Sequence, residues 1–111
     1  YDKNDYDYGK LRNGANVFTD ETFAEQVALH QLLYRKLLKF AYDNECEDTA
    51  EWDGENAHWV IRYNESRNEF CSYYQDGYKA LDVYFSSKEG AERAIKEVVE
   101  PFMKELPDFV W

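Results

Sequence analysis

A chain of 111 residues, 44% hydrophobic and 18% aromatic, is long enough for one domain with a modest core and too apolar for a disordered segment. Its 23 acidic and 13 basic residues give a net charge of −10, which weighs against direct binding of nucleic acid or an anionic membrane and favours a partner with a basic surface. No stretch approaches the roughly 18 apolar residues of a membrane span and no signal-peptide pattern is visible, in a chain that begins at Tyr1 and is compatible with a fragment of a longer protein.

Residues 1–8 alternate Tyr and Asp loosely and read as an edge strand or an arm, followed by turn chemistry at Gly9, Asn13 and Gly14. Thr19 fits a helix N-cap, and Asp20 and Glu21 suit the positive end of the helix that follows. That helix is expected to run to about Tyr42, with no Gly or Pro to interrupt it. Phe23, Val27, Tyr34, Leu37, Leu38 and Ala41 form its apolar stripe, with Leu33 at the edge.

The segment 43–55 carries seven acidic residues and no Lys or Arg. Two alternating runs follow. Residues 58–64 place Trp59, Ile61 and Tyr63 on one face and His58, Val60 and Arg62 on the other, and residues 70–74 return, so the pair predicts a β-hairpin. Residues 78–85 supply an expected third strand. Ser86 with Glu89 has capping-box spacing and opens a second helix with Ala91, Ile95, Val98 and Val99 on its apolar face. Pro101 is expected to end or kink that helix near Glu100, or to start a short final turn over 101–106. The tail Phe109, Val110 and Trp111 either docks on its own core or meets a partner.

The fold class is therefore α+β over one domain, 1–111. It comprises a small antiparallel sheet of about three to four strands, a long N-terminal helix and a C-terminal helix.

The spacings for chemistry are missing. Cys46 and Cys71 form no CxxC pair and read as free thiols in a reducing cytoplasm, with Cys71 the one more readily buried in a strand. His30 and His58 read as structural, and no nucleophile turn or Gly-rich loop accompanies them. A calcium loop starting at Asp43 fails because its sixth residue is Asp48, where glycine is needed. Neither catalytic, cofactor-binding nor metal-binding residues are expected, and the chain is read as no enzyme.

What remains is the acidic surface. Asp43, Glu45, Glu47, Asp48, Glu51, Asp53 and Glu55 are the candidate partner-binding residues, joined by Trp111 in the tail. Carboxylates fixed on a scaffold can take the places of nucleic-acid phosphates in a basic cleft, and binding of that kind is salt-sensitive. The competing reading is a solvated loop that keeps an aromatic-rich chain soluble.

Two motifs carry a resemblance. Gly14, Asn16, Phe18, Thr19, Glu21, Ala24 and Glu25 lead into the first helix. Phe85, Ser86, Ser87, Glu89, Ala91, Ala94 and Ile95 lead into the last. In this paired arrangement the chain resembles a family of small phage and prophage proteins of Gram-positive bacteria, over roughly residues 5–99. One residue is inserted between Gly14 and Asn16, and Pro101 and the tail depart from the family pattern. The motifs are made of caps and packing residues, so they speak to fold more than to function.

The resemblance implies an accessory protein in the cytoplasm of a bacterial host, of the gene class that includes anti-CRISPR inhibitors. The expected function is a non-enzymatic acidic inhibitor, a possible nucleic-acid mimic, of a bacterial nucleic-acid-binding or defence protein such as an RNA-guided nuclease. The alternative is a phage structural or assembly protein acting by self-association.

Overall fold

The computed structural model describes residues 20–111. The expected N-terminal arm, the turn at 9–14, the Thr19 cap and the part of the first motif before Asp20 lie outside the described residues. Helix α1 (Asp20–Asp43) is followed by strands β1 (His58–Asn64) and β2 (Glu69–Gln75). Helix α2 (Lys88–Ala94) continues through a π-helical turn (Ile95–Val99) into α3 (Glu100–Glu105). The α+β class stands, with a long first helix and a C-terminal helix.

Helix α1 ends in a Schellman-type turn. The Cys46 amide donates to the Ala41 carbonyl at 2.9 Å, and Glu45 takes the left-handed conformation (φ 55°) usually filled by glycine. The buried face of α1 carries Gln26, Leu33, Leu37 and Ala41. This corrects the expected stripe: Phe23, Val27, Tyr34 and Leu38 all stay substantially exposed. The apolar arc on this helix is wider than the surface its neighbours cover, and periodicity alone does not say which half is covered.

Strands β1 and β2 pair antiparallel, with Trp59 opposite Tyr74, Ile61 opposite Ser72 and Tyr63 opposite Phe70. The connection is closed by Asn64, whose side-chain oxygen accepts from the Ser66 and Arg67 amides.

The expected third strand does not form. Phe85 alone bridges to Trp59 on one side and to Glu47 on the other. Its amide donates to the Trp59 carbonyl at 2.7 Å, its carbonyl accepts from Trp59 at 3.0 Å, and the Ser86 amide donates to Cys46. The sheet is thus two strands extended by single-residue bridges. Preceding residues leave the sheet, and Tyr78 and Leu81 are 86% and 91% exposed. The β-branched and aromatic residues there gave a strand signal without a partner to satisfy it.

The extended backbone also moves the helix cap. Ser87, not Ser86, caps α2, and its hydroxyl accepts from the Gly90 amide at 3.0 Å. Ser86 is taken up by the bridge, so the reciprocal arm through Glu89 is out of register. Gly90 lies against Cys46, where an added Cβ would stand 2.9 Å from the Cys46 Cβ. That contact lets the first turn of α2 close on the loop after α1.

The helix runs through Pro101 without ending there. The Glu100 amide bonds back to Ile95, and this wide turn absorbs the proline, which opens α3.

The main core lies between α1, the α2–α3 helix and one face of the hairpin. Phe85, Ala91, Ala94 and Val99 are fully buried in it, with Leu33, Leu37, Ile61 and Phe102 around them. The tail docks here as well. The Phe109 ring meets Phe102 edge-on at 5.1 Å, and the Gln26 side chain donates to the Asp108 carbonyl and accepts from the Val110 amide.

Both cysteines are free thiols, but the expected burial is reversed: Cys46 is buried and Cys71 half-buried. Burial pushes the Cys46 thiol up from its ordinary pKa, and nearby Arg93 offsets part of that.

Candidate functional site: the pinned acidic segment

Between α1 and β1 the acidic segment folds over the second face of the hairpin, the face carrying His58 and Val60. Both of these residues are buried, and His58 is 0% exposed. The Asp48 carboxylate contacts His58 Nδ1 at 2.6 Å, and the Glu51 carbonyl contacts Nε2 at 3.1 Å. A carbonyl only accepts, so Nε2 carries hydrogen. The short Nδ1 contact to the carboxylate then needs a second proton between the two groups.

Trp52 lies flat on the imidazole, with centroids 3.6 Å apart and planes 6° from parallel, and it meets Tyr84 edge-on at 4.9 Å. The Tyr84 hydroxyl donates to the Gln75 side chain and accepts from the Ala80 amide. A small aromatic cluster thus fastens the acidic segment to β1, with both ring nitrogens of His58 and the Tyr84 hydroxyl bonded.

The eight candidate residues fall into different roles. Asp48 is turned inward, its side chain 8% exposed, and acts as the pin. Asp43 pairs with Lys39 at 2.8 Å one turn earlier. Asp53 folds its own loop. The Glu55 amide donates to it at 3.0 Å and the Asn56 amide at 3.3 Å, and these bonds hold its carboxyl below the ordinary value.

Glu45, Glu47, Glu51 and Glu55 are exposed, and their carboxylates have no hydrogen-bond or ion-pair partner among the described residues. Trp111 packs edge-on against Phe70 at 4.8 Å and remains 41% exposed; it belongs to a different part of the surface.

Two parts of this arrangement lay outside the expected site. Trp52 is not among the expected site residues, and His58, expected to be structural, also holds this loop. A signal existed: His58 is the one side chain between Lys39 and Arg62 that can carry positive charge, beside a run of seven acids.

Among the described residues no three His, Cys, Asp or Glu side chains converge to hold a metal ion. No described helix is long and apolar enough to cross a membrane.

The fold and this site define an α+β hairpin–helix protein that presents glutamates on a fastened loop. No protein-family model, no curated protein and no solved structure matches the chain.

Proposed function

We propose that this chain is a non-enzymatic binding protein of phage type. Its acidic segment docks on the basic face of a bacterial nucleic-acid-binding or defence protein and blocks it, as an anti-CRISPR-type inhibitor blocks an RNA-guided nuclease. One observation carries the reading: Glu45, Glu47, Glu51 and Glu55 stand without partners on a segment anchored by Asp48, His58 and Trp52. Anchoring lowers the ordering cost of binding, and unpaired carboxylates need not break an existing bond first. Glu45 adds support. A glutamate in the left-handed region costs about 1 kcal/mol relative to glycine, and the position nevertheless presents a carboxylate. The phage assignment rests on the two motifs that flank the helices.

The test is capture from a bacterial lysate with the tagged chain, comparing the parent with a triple Glu47→Lys, Glu51→Lys, Glu55→Lys variant. Asp48 is left in place because it holds His58. The expected result is one dominant nucleic-acid-binding protein, released at high salt. Charge reversal should weaken its binding more than about tenfold at roughly 150 mM salt. Unchanged binding by the triple variant would overturn the electrostatic reading.

A second reading, self-association in a phage assembly, draws on the exposed Tyr42, Tyr73, Tyr74, Tyr78 and Leu81. Sedimentation separates the two, since a monomer at about ten times the capture concentration removes the second.

A further inference from the structure

A groove of about 820 Å³ opens between α1, residues 81–83 and the C-terminal tail. Its size lies within the roughly 300–1,000 Å³ usual for small-molecule sites. Leu33, Tyr34, Leu37, Val83, Phe109 and Trp111 give it an apolar lining. The charged groups around it are Arg35, Arg62 and Asp82, with His30.

Arg35 has no hydrogen-bond or ion-pair partner among the described residues. Arg62 holds Asp82 and the Ile61 carbonyl by bonds of 3.2 Å each. His30 Nδ1 is engaged with the Gln26 carbonyl, and its ring lies against Phe109. In a chain of net charge −10, the side chains lining the groove therefore set two guanidiniums against one carboxylate beside an apolar surface. It is built on α1, β1 and a tail tied down at Gln26, so it exists before any ligand arrives.

We infer that this groove binds a small amphipathic anion: a carboxylate on an alkyl body. The alkyl body lies along Leu37, Phe109 and Trp111, and the carboxylate meets the free Arg35 guanidinium, whose two-pronged donor geometry matches it. The assignment shares only Trp111 with the expected partner-binding residues and is independent of the acidic segment.

The probe is octanoate, titrated below its micellar concentration into the full ¹⁵N-labelled chain, with octanol and octylamine as neutral and cationic controls. The expected result is movement of the Trp111 indole signal and of the Leu37 and Val83 amides. Octanoate should bind about fivefold more tightly than octanol, and octylamine more weakly than either. Arg35→Gln changes an exposed side chain and leaves the fold intact. It should abolish the preference for octanoate over octanol without changing octanol affinity. Absence of movement at the groove residues overturns the site. Equal binding of the three probes, or an octanoate preference that survives Arg35→Gln, overturns the anion assignment.

Discussion

The two faces of the hairpin are covered by different means. On one, Ile61 and the Phe85 bridge meet a hydrocarbon core drawn from α1, α2 and α3, where burial is spread over many side chains. On the other, a loop rich in carboxylates is fastened through one imidazole, one carboxylate and one indole. Hydrocarbon packing is non-directional and loses stability in proportion to what is removed. A buried polar pin depends on each bond, because removing one partner leaves the other desolvated and unpaired. The first face should therefore fail as part of the whole molecule, and the second should fail locally.

The largest effect is expected from Phe85→Ala. Phe85 is fully buried and holds the centre of the core, so the loss should be about 3–5 kcal/mol, read as a single shifted unfolding transition. Asp48→Ala should cost about 2–3 kcal/mol because it strands His58 without its carboxylate. Asp48→Asn should cost clearly less, since a flipped amide donates to a neutral Nδ1 while Nε2 keeps its hydrogen bond to the Glu51 carbonyl. If alanine and asparagine cost the same at this position, the hydrogen bond contributes little. Amide exchange should show the Asp48→Ala damage confined to the acidic segment and the start of β1.

A smaller loss, about 1–3 kcal/mol by denaturant unfolding, is expected of Gly90→Ala, whose methyl meets Cys46 where α2 closes on the loop after α1.

The smallest effect is a pH dependence from Cys46. Its raised pKa means the fold favours the neutral thiol. Its contribution is constant below the ordinary thiol pKa and falls as pH rises through the folded value. Alkylation at mildly alkaline pH should accordingly modify half-buried Cys71 before Cys46. Faster modification of Cys46 would contradict its burial.

Much of the architecture was legible because it rests on local signals. The uninterrupted span of α1, the alternation in β1 and β2, and the apolar spacing after Ser87 each named an element. The failures were matters of tertiary pairing. The 78–85 run has strand-forming residues, but only Phe85 finds a neighbour, and that bridge shifts the cap from Ser86 to Ser87. The α1 stripe included the right Leu37 and Ala41, yet the covered half of the helix is set by where Phe109 and Val99 come to rest. The acidic segment stood out by composition. Composition could not show that Asp48 faces inward while Glu47 and Glu51 face solvent, because that division depends on a histidine ten residues away.

A docking platform of glutamates requires the acidic segment to be fastened and not loosely solvated. The most direct measurement is the proton NMR shift of the His58 ring carbon-bound hydrogens, in the parent and in Trp52→Leu. An indole stacked at 3.6 Å should move those signals strongly upfield, and the substitution should return them toward the values of a free imidazole. Free-imidazole shifts in the parent would mean that Trp52 does not cover His58, and the fastened platform for Glu47, Glu51 and Glu55 would be lost with it.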